Sequence, residues 1–334
     1  MVDRSIDLLA PALDRQGSVA IDGTLGLGGH TEALLRSCPE VTVIGIDRDA
    51  DALALATARL ASFGDRFVAH HSEFDDIEGA LARIGAPRAD GVLLDLGVSS
   101  LQIDEVGRGF SYSQDAPLDM RMDREAPRTA ADILREESEE EIARILKEYG
   151  EERYAKKIAR AIVRRRVESP ITRSGALADI VRASIPAAAR AEGGNPAKRS
   201  FQALRIAVND ELGLLSEALP RAIGALAVGG RIVVLSYHSL EDRLVKHALA
   251  EGVQIRAPHG MPVIREEDRP YLRLLVKGAE KASESEVARN PRSRPVRLRA
   301  AERIRETPRE RRAARASHQP SHPTGRPSRS SSSA

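Results

Sequence analysis

Val19-Ala20-Ile21-Asp22-Gly23-Thr24-Leu25-Gly26-Leu27-Gly28-Gly29-His30 is the stretch on which the fold turns. Its first four residues form a short apolar run that closes on an acid, glycines follow, and His30 to Ser37 reads as one helix. Val41 to Asp47 repeats the pattern, a β-branched run ending on an acid. Strand, glycine turn, helix and strand make a βαβ unit. The rhythm continues with a helix over Ala50 to Ala61, a strand over Arg66 to His70, a helix over Glu78 to Ile84 and an apolar strand over Asp90 to Leu96. Such alternation predicts an α/β fold with a mainly parallel sheet and helices on both faces.

After Gln102 the rhythm stops. Gly107 to Asp123 reads as a loop, and helices follow. Ser138 to Glu141 has the spacing of a capping box that opens a helix ending at Gly150. A second helix is expected over Glu151 to Val167, ended by Ser169-Pro170, and a third over Gly175 to Ser184, capped by Ser174. Ala187 to Gly194 reads as a loop, and Asn195-Pro196 opens a long helix reaching about Ala218. The α/β rhythm resumes with a strand over Ile232 to Ser236, a helix capped by Ser239 and Asp242, and late strands over Tyr271 to Val276 and Val296 to Arg299. The expected organisation is a discontinuous α/β core over 1–103 and 205–303, a helical insertion over 104–204 and a basic, disordered tail over 304–334.

Composition narrows the function classes. The chain has 334 residues, with 42% apolar and 3% aromatic content and no Trp, so stacking platforms for bases are few. One cysteine, Cys38, excludes an internal disulfide and argues against a structural zinc site. The first twelve residues carry Asp3 and Asp7 and do not resemble a secretory signal, and no run approaches the roughly 18 apolar residues of a membrane span. A cytoplasmic setting with no membrane partner is expected. Arg292 to Ala334 holds twelve Arg and three Glu against a net charge of +2 for the whole chain, so residues 1–291 carry a net −7. An acidic body with a basic end is one pattern of proteins that meet nucleic acid through local patches.

The glycine turn suits a cofactor, because glycines allow close backbone approach and the helix that follows offers free N–H groups. A dinucleotide fingerprint is incomplete, since Thr31 stands at the sixth position from Gly26. An acid shortly before the glycines, Asp22, suits instead the cationic amino group of S-adenosylmethionine. Asp47 stands at the end of the second strand, where a carboxylate can accept both ribose hydroxyls, or pair with Arg48. Phe74 lies where an adenine ring would sit, and a core position suits it equally. His70 and His71 are adjacent on an extended segment and point apart, so no metal site is expected. Asp95 to Ser100 ends the fourth strand, on the edge where open α/β sheets bind ligands. An exocyclic amine attacking a methyl sulfonium needs positioning and a nearby acceptor for its protons rather than a strong base. Asp95, Ser99 and His238, which follows the fifth strand, are the candidate catalytic residues; a helix-packing role for His238 is the alternative.

Several segments, in order over about residues 20 to 300, resemble the ribosomal RNA small-subunit methyltransferase H (MraW-type) family. They include Asp22-Gly-Thr-Leu-Gly-Leu-Gly-Gly-His30, Asp95-Leu-Gly-Val-Ser-Ser100, Arg108-Gly-Phe-Ser111, Pro117-Leu-Asp-Met-Arg-Met-Asp123, Phe201-Gln-Ala-Leu-Arg-Ile206, His238-Ser-Leu-Glu-Asp-Arg243 and Asn290-Pro-Arg-Ser-Arg294. Ala116, Asn195 and Tyr237 stand where the family usually carries Gly, His and Phe. The resemblance implies a Rossmann-like class I methyltransferase using S-adenosyl-L-methionine. It implies N4-methylation of a cytidine in the decoding region of 16S rRNA, in the small ribosomal subunit. It further implies that Gly28, Gly29, His30, Asp47, Phe74, Asp95 and Gln102 line the cofactor, to which the reading of the glycine turn adds Asp22. The alternatives are methylation of another RNA, a protein or a small molecule, and a ribosome-assembly factor that binds the cofactor without catalysis. Seven cations from Arg153 to Arg166 on one expected helix offer a surface for phosphates, against the alternative that the acidic neighbour Glu136 to Glu148 absorbs them.

Overall fold

The computed structural model describes residues 1–112, 114–187, 195–255, 264–307 and 310. Seven strands form one sheet: β1 (Val19–Asp22), β2 (Thr42–Asp47), β3 (Phe67–His71), β4 (Ala89–Asp95), β5 (Leu226–Ser236), β6 (Leu272–Leu274) and β7 (Arg297–Arg303). Their order is β3-β2-β1-β4-β5-β7-β6. The first five pair in parallel, and β7 runs antiparallel between β5 and β6.

Successive strand residues face opposite sides, and the burial follows that period of two. Ala20, Val43, Leu93 and Val233 join a core with α1 (Val2–Leu13), α2 (Gly29–Ser37) and α3 (Ala50–Leu60). Ile21, Ile44, Leu94 and Val234 face the opposite core, with α4 (Ile77–Arg83) and two later helices. The strands are therefore apolar on both faces, as a parallel sheet covered by helices requires. The expected α/β architecture is present.

A short helix, α5 (Ser100–Asp104), follows β4. Before β5 the chain then forms α6 (Ala130–Glu136), α7 (Glu139–Gly150), α8 (Ala155–Glu168), α9 (Ser174–Ser184), α10 (Lys198–Asn209) and α11 (Glu211–Ala225). Helices α6 to α10 bury an apolar cluster of their own, around Ile142, Ile158, Leu177 and Phe201. Two breaks differ from expectation. The second insertion helix begins at Ala155 rather than Glu151, because Glu151 takes φ 48° and ends α7. The expected long helix to Ala218 is two helices, bent at Asp210 with φ 46°. That bend, rather than the 204/205 boundary inside α10, is where the chain leaves the insertion cluster for the sheet cluster. Gly150 allows α7 to cross α10 closely, since a Cβ there would lie 2.7 Å from the Arg199 carbonyl.

Two caps also move. Ser174 is the first residue of α9, and its hydroxyl ties Ala116 N and Gln114 O of the preceding loop. His238, not Ser239, is the N-cap of α12 (Ser239–Val253), while Asp242 pairs with Arg299. A last helix, α13 (Glu284–Arg289), precedes β7. Most of the expected loop at 187–194 and of the tail from 304 onward lies outside the described residues. No described helix is long and apolar enough to cross a membrane.

The insertion is fastened to the sheet by polar contacts. Asn209, at the end of α10, donates to Met120 O and accepts from Met122 N, while Arg48 donates to Asn209 O. Arg108 pairs with Asp49, both nearly inaccessible to water. Truncating one partner of a buried pair leaves the other charge uncompensated, at a cost of about 3–5 kcal/mol. Arg108→Ala is therefore expected to lower the stability measured by urea unfolding by that order, and a loss below about 1 kcal/mol would show that Asp49 does not depend on its partner.

Candidate functional site

The carboxyl ends of β1, β2, β4 and β5 open on one cavity of about 1300 Å³. Gly26, His30, Asp47, Phe74, Asp95 and Ser99 line its sheet side, and Phe110, Tyr112, Phe201 and Gln202 line its insertion side. Order reverses between β1 and β4, one leading outward through β2 and the other through β5, so this edge is a switch point where the flanking loops part.

At the glycine turn, Gly26 has φ 53° and its N–H donates to Asp47 Oδ2 at 2.7 Å. Gly28 has φ 75°, and a Cβ there would meet Leu60 Cδ1 at 3.1 Å. Gly28 therefore faces α3 and shapes the turn from behind, whereas Gly26 and Gly29 face the cavity. Asp22 also departs from expectation. It is 1% exposed and is not among the cavity-lining residues; its carboxylate accepts from the Thr31 hydroxyl at 2.7 Å and from Thr24 N at 3.3 Å. Burial pushes its carboxyl upward in pKa, opposed by His30 and Thr31. Asp22 thus holds the turn from beneath.

Asp47 does face the cavity. Its carboxylate accepts backbone N–H groups from Gly26 and Asp49, and burial outweighs these bonds to push its carboxyl up to about 6. A carboxylate in this state is short of hydrogen-bond donors, the property expected of a group awaiting ligand hydroxyls. Phe74 lines the same end, next to Gly23.

Gln102 and Ser99 form a reciprocal capping box on α5: Gln102 N donates to Ser99 Oγ at 3.2 Å, and Ser99 N to Gln102 Oε1 at 3.0 Å. The Gln102 amide also donates to Asp49 Oδ2 at 3.1 Å. Asp49 in turn caps α3 and receives Arg108. Ser99 stays at the cavity wall, with its hydroxyl proton uncommitted by the cap.

Asp95 is held from three sides. Its N–H donates to Thr24 Oγ1 at 2.6 Å, its Oδ1 accepts from the Tyr237 hydroxyl at 2.8 Å, and its Oδ2 lies 3.5 Å from His30 Nδ1. Burial and the adjacent Asp95 charge keep the Tyr237 phenol strongly on its protonated, donating side. His238 lies at the cavity wall and also serves the helix that follows: its Nδ1 accepts from Glu241 N at 3.4 Å and its Nε2 lies 3.0 Å from Glu241 Oε1. Burial alone would raise the Glu241 carboxyl, but His238, Arg205 and the Tyr237 N–H outweigh it and hold it below the usual range. His70 and His71 bond separately, to Asp76 and to Arg48 O. No cluster of three potential metal ligands occurs among the described residues.

Sequence reading missed Asp49, Arg108, Thr24, Tyr237 and Glu241. A signal existed for one junction: Ser99-Ser-Leu-Gln102 has capping-box spacing, which gives Gln102 a local reason to turn back. Tyr237 and Arg108 meet their partners across 142 and 59 residues, a pairing no local pattern carries.

Residues 1–304 match the MraW methylase family. The chain is 59% identical over 308 residues to a ribosomal RNA small subunit methyltransferase H of Beutenbergia cavernae, covering 92% of each chain. It is 56% identical to the protein of that name from Saccharopolyspora erythraea, covering 92% of this chain and 93% of that one. To that from Streptomyces avermitilis it is 55% identical, covering 92% and 96%.

The Asp47 carboxyl should titrate with a midpoint of about 6 in the ligand-free protein, as read by carbon-13 NMR of the side chain. The form that accepts hydrogen bonds exists above that midpoint and is lost below it. A ligand donating hydroxyls to Asp47 should therefore bind more weakly as pH falls through 6, and should lower the midpoint when bound. A midpoint near 4, unmoved by ligand, would contradict the placement.

Proposed function

Because this chain belongs to the MraW methylase family, we propose that it methylates ribosomal RNA of the small subunit with S-adenosyl-L-methionine, at the N4 amine of a cytidine in the decoding region of 16S rRNA. The observation that carries this reading is the single cavity shared by the glycine turn and the helical insertion. One end suits an adenosyl group, and the other leaves room for a base.

In this reading the Gly26 and Gly29 backbone and the start of α2 take the amino-acid portion of the cofactor. Asp47 accepts the ribose hydroxyls, Phe74 packs on the adenine, and His30 lies beside them. Asp22 and Gly28 act by shaping the turn, and Gln102 by holding α5 against Asp49. When bound, the cofactor supplies a methyl group already activated on a sulfonium. The protein's part is then to place the acceptor nitrogen and to receive its protons. Asp95 has one oxygen fixed by Tyr237 and spare acceptor capacity on both. Ser99 has a hydroxyl at the same wall. These two groups accept hydrogen bonds from the amine, draw its lone pair out of the ring and take up the proton as the new C–N bond forms. His238, at the same wall, is tied to Glu241 and acts by fixing the start of α12 beside them.

The unit from residue 104 through α10 is the RNA-facing part, in a cytoplasmic protein that meets the assembled or nearly assembled subunit. On α8, Arg166 donates to Leu134 O and Glu137 O, while Arg160 and Arg165 pair with Glu139 and Glu168. Lys156, Lys157 and Arg164 are exposed and have no acidic partner among the described residues. Of the seven cations, Arg160, Arg165 and Arg166 are thus engaged within the protein.

The decisive experiment transfers labelled methyl to small subunits from a strain lacking this protein, then maps the product by mass spectrometry. The expected result is one labelled N4-methylcytidine in the decoding region. Label at another base or in protein would overturn the finer reading, and no transfer by cofactor-bound protein would favour an assembly factor. Reversing Lys157→Glu and Arg164→Glu together should raise KM for subunits and flatten its salt dependence by about 2 on a log–log plot, about one per phosphate contact, with unchanged cofactor affinity. An unchanged salt slope would remove α8 from the RNA surface.

A further inference from the structure

Five of the ten aromatic side chains in this Trp-free chain line one cavity. The cavity, at about 1300 Å³, exceeds the roughly 300–1000 Å³ usual for one small ligand. It therefore has room for a second group beside the cofactor. The aromatics divide accordingly. Phe74 sits by the glycine turn, and Tyr237 is fixed to Asp95. The others, Phe110, Tyr112 and Phe201, belong to the insertion side.

Tyr112 and Phe201 form an edge-to-face pair, with ring centroids 6.0 Å apart and planes at 79°. Phe201 is 3% exposed and held in the insertion cluster by α10, so it is a fixed floor. Tyr112 is 37% exposed and projects from the loop between α5 and α6 at the cavity wall. A ring seated on a rigid partner yet open to solvent forgoes burial that a core aromatic would have, and offers a flat surface of fixed position. Next to Phe201, Gln202 donates its Nε2 to Tyr149 O at 3.1 Å, which holds the amide and leaves Oε1 as an acceptor. Lys198 and Arg294 also line the cavity and have no carboxylate partner among the described residues.

We propose that Tyr112, seated on Phe201, is the stacking platform for the acceptor nucleobase, turned out of an unpaired RNA strand into the cavity, with flanking phosphates at Lys198 and Arg294. The assignment rests on the RNA-methylation reading. A base must leave its stack for its amine to reach a donor enclosed by protein, and an aromatic face replaces the stacking it gives up. Gln202 Oε1 then stands where an exocyclic amine or a neighbouring base can donate to it.

The test uses full-length protein with Tyr112→Ala, Tyr112→Leu and Tyr112→Phe. Loss of one base stack is expected to reduce kcat/KM for small subunits by about 5- to 100-fold in Tyr112→Ala, mainly through KM. Tyr112→Leu, which keeps bulk without a π face, should fall similarly, and Tyr112→Phe should restore activity. Cofactor affinity by calorimetry should stay unchanged in all three. Full activity in Tyr112→Leu, or a parallel loss of cofactor affinity, would overturn the stacking role. In a second measurement, fluorescence anisotropy reads the binding of labelled oligocytidylate to the protein saturated with S-adenosylhomocysteine. Weaker binding in Tyr112→Ala but not Tyr112→Phe supports the platform even if wild-type protein transfers no methyl, which would sink only the catalytic reading. Equal binding by all variants overturns the platform whatever the transfer assay gives.

Discussion

The Asp49 carboxylate is the junction on which the site depends. It caps α3 after the second strand, receives the Gln102 amide from the helix after the fourth strand, and pairs with Arg108 at the start of the insertion. Three loops that leave the sheet edge in different directions are thereby fixed to one buried charge. Isolated, that charge would be costly in so dry a place; surrounded by a cap, an amide and a guanidinium, it is compensated. Because an unpaired carboxylate there is so unfavourable, the arrangement tolerates little looseness, and the insertion is held at a set position over the strand ends.

The remaining acids of the same edge are partnered in different ways. Asp22 is closed off by Thr31 and Thr24 and belongs to the turn. Asp95 is oriented by Tyr237 and lies near His30, with acceptor capacity left over. Asp47 has backbone donors only, too few to offset its burial. A bound ligand that brings hydroxyl donors relieves Asp47 and not the others. The second strand end thus carries an acceptor short of donors, while the acceptor at the fourth strand end is already oriented by a phenol. The Tyr237 hydroxyl gives Asp95 a donor that a phenylalanine at this position would not supply.

The sheet was legible in the sequence because β1, β2 and β4 are apolar runs closed by an acid and alternate with helical segments, and the inserted helices because that rhythm fails after Gln102. What escaped was set by nonlocal or unusual backbone geometry. Asn209-Asp210 carries neither Gly nor Pro, so nothing in the helical pattern announces the bend; it is held by Asn209 bonding to the 120–122 loop and by the Arg205–Glu211 pair across it. Asp tolerates the left-handed region better than most residues, and the contacts decide that it is used here. The site residues divide likewise. Asp47 and Asp95 face the cavity from their place at strand ends. Asp22 and Gly28 have the expected positions but are turned toward the protein, and only the atoms around each show which way it faces.

An insertion between the fourth and fifth strands has a geometric consequence. Both strands end on the edge where the cofactor turn lies, so any chain inserted there leaves and re-enters the sheet beside that turn. The helical unit needs no separate recognition of the cofactor site to sit over it; topology supplies the placement, and Asp49, Asn209 and Glu151 fix the distance, the last through Ser239 and Arg243 on α12. A wall built this way can be rich in cations and aromatics without disturbing the sheet, because its apolar cluster is its own. Two different cores thereby share one cavity, and the cavity is large because it is the gap between two units rather than a pocket within one.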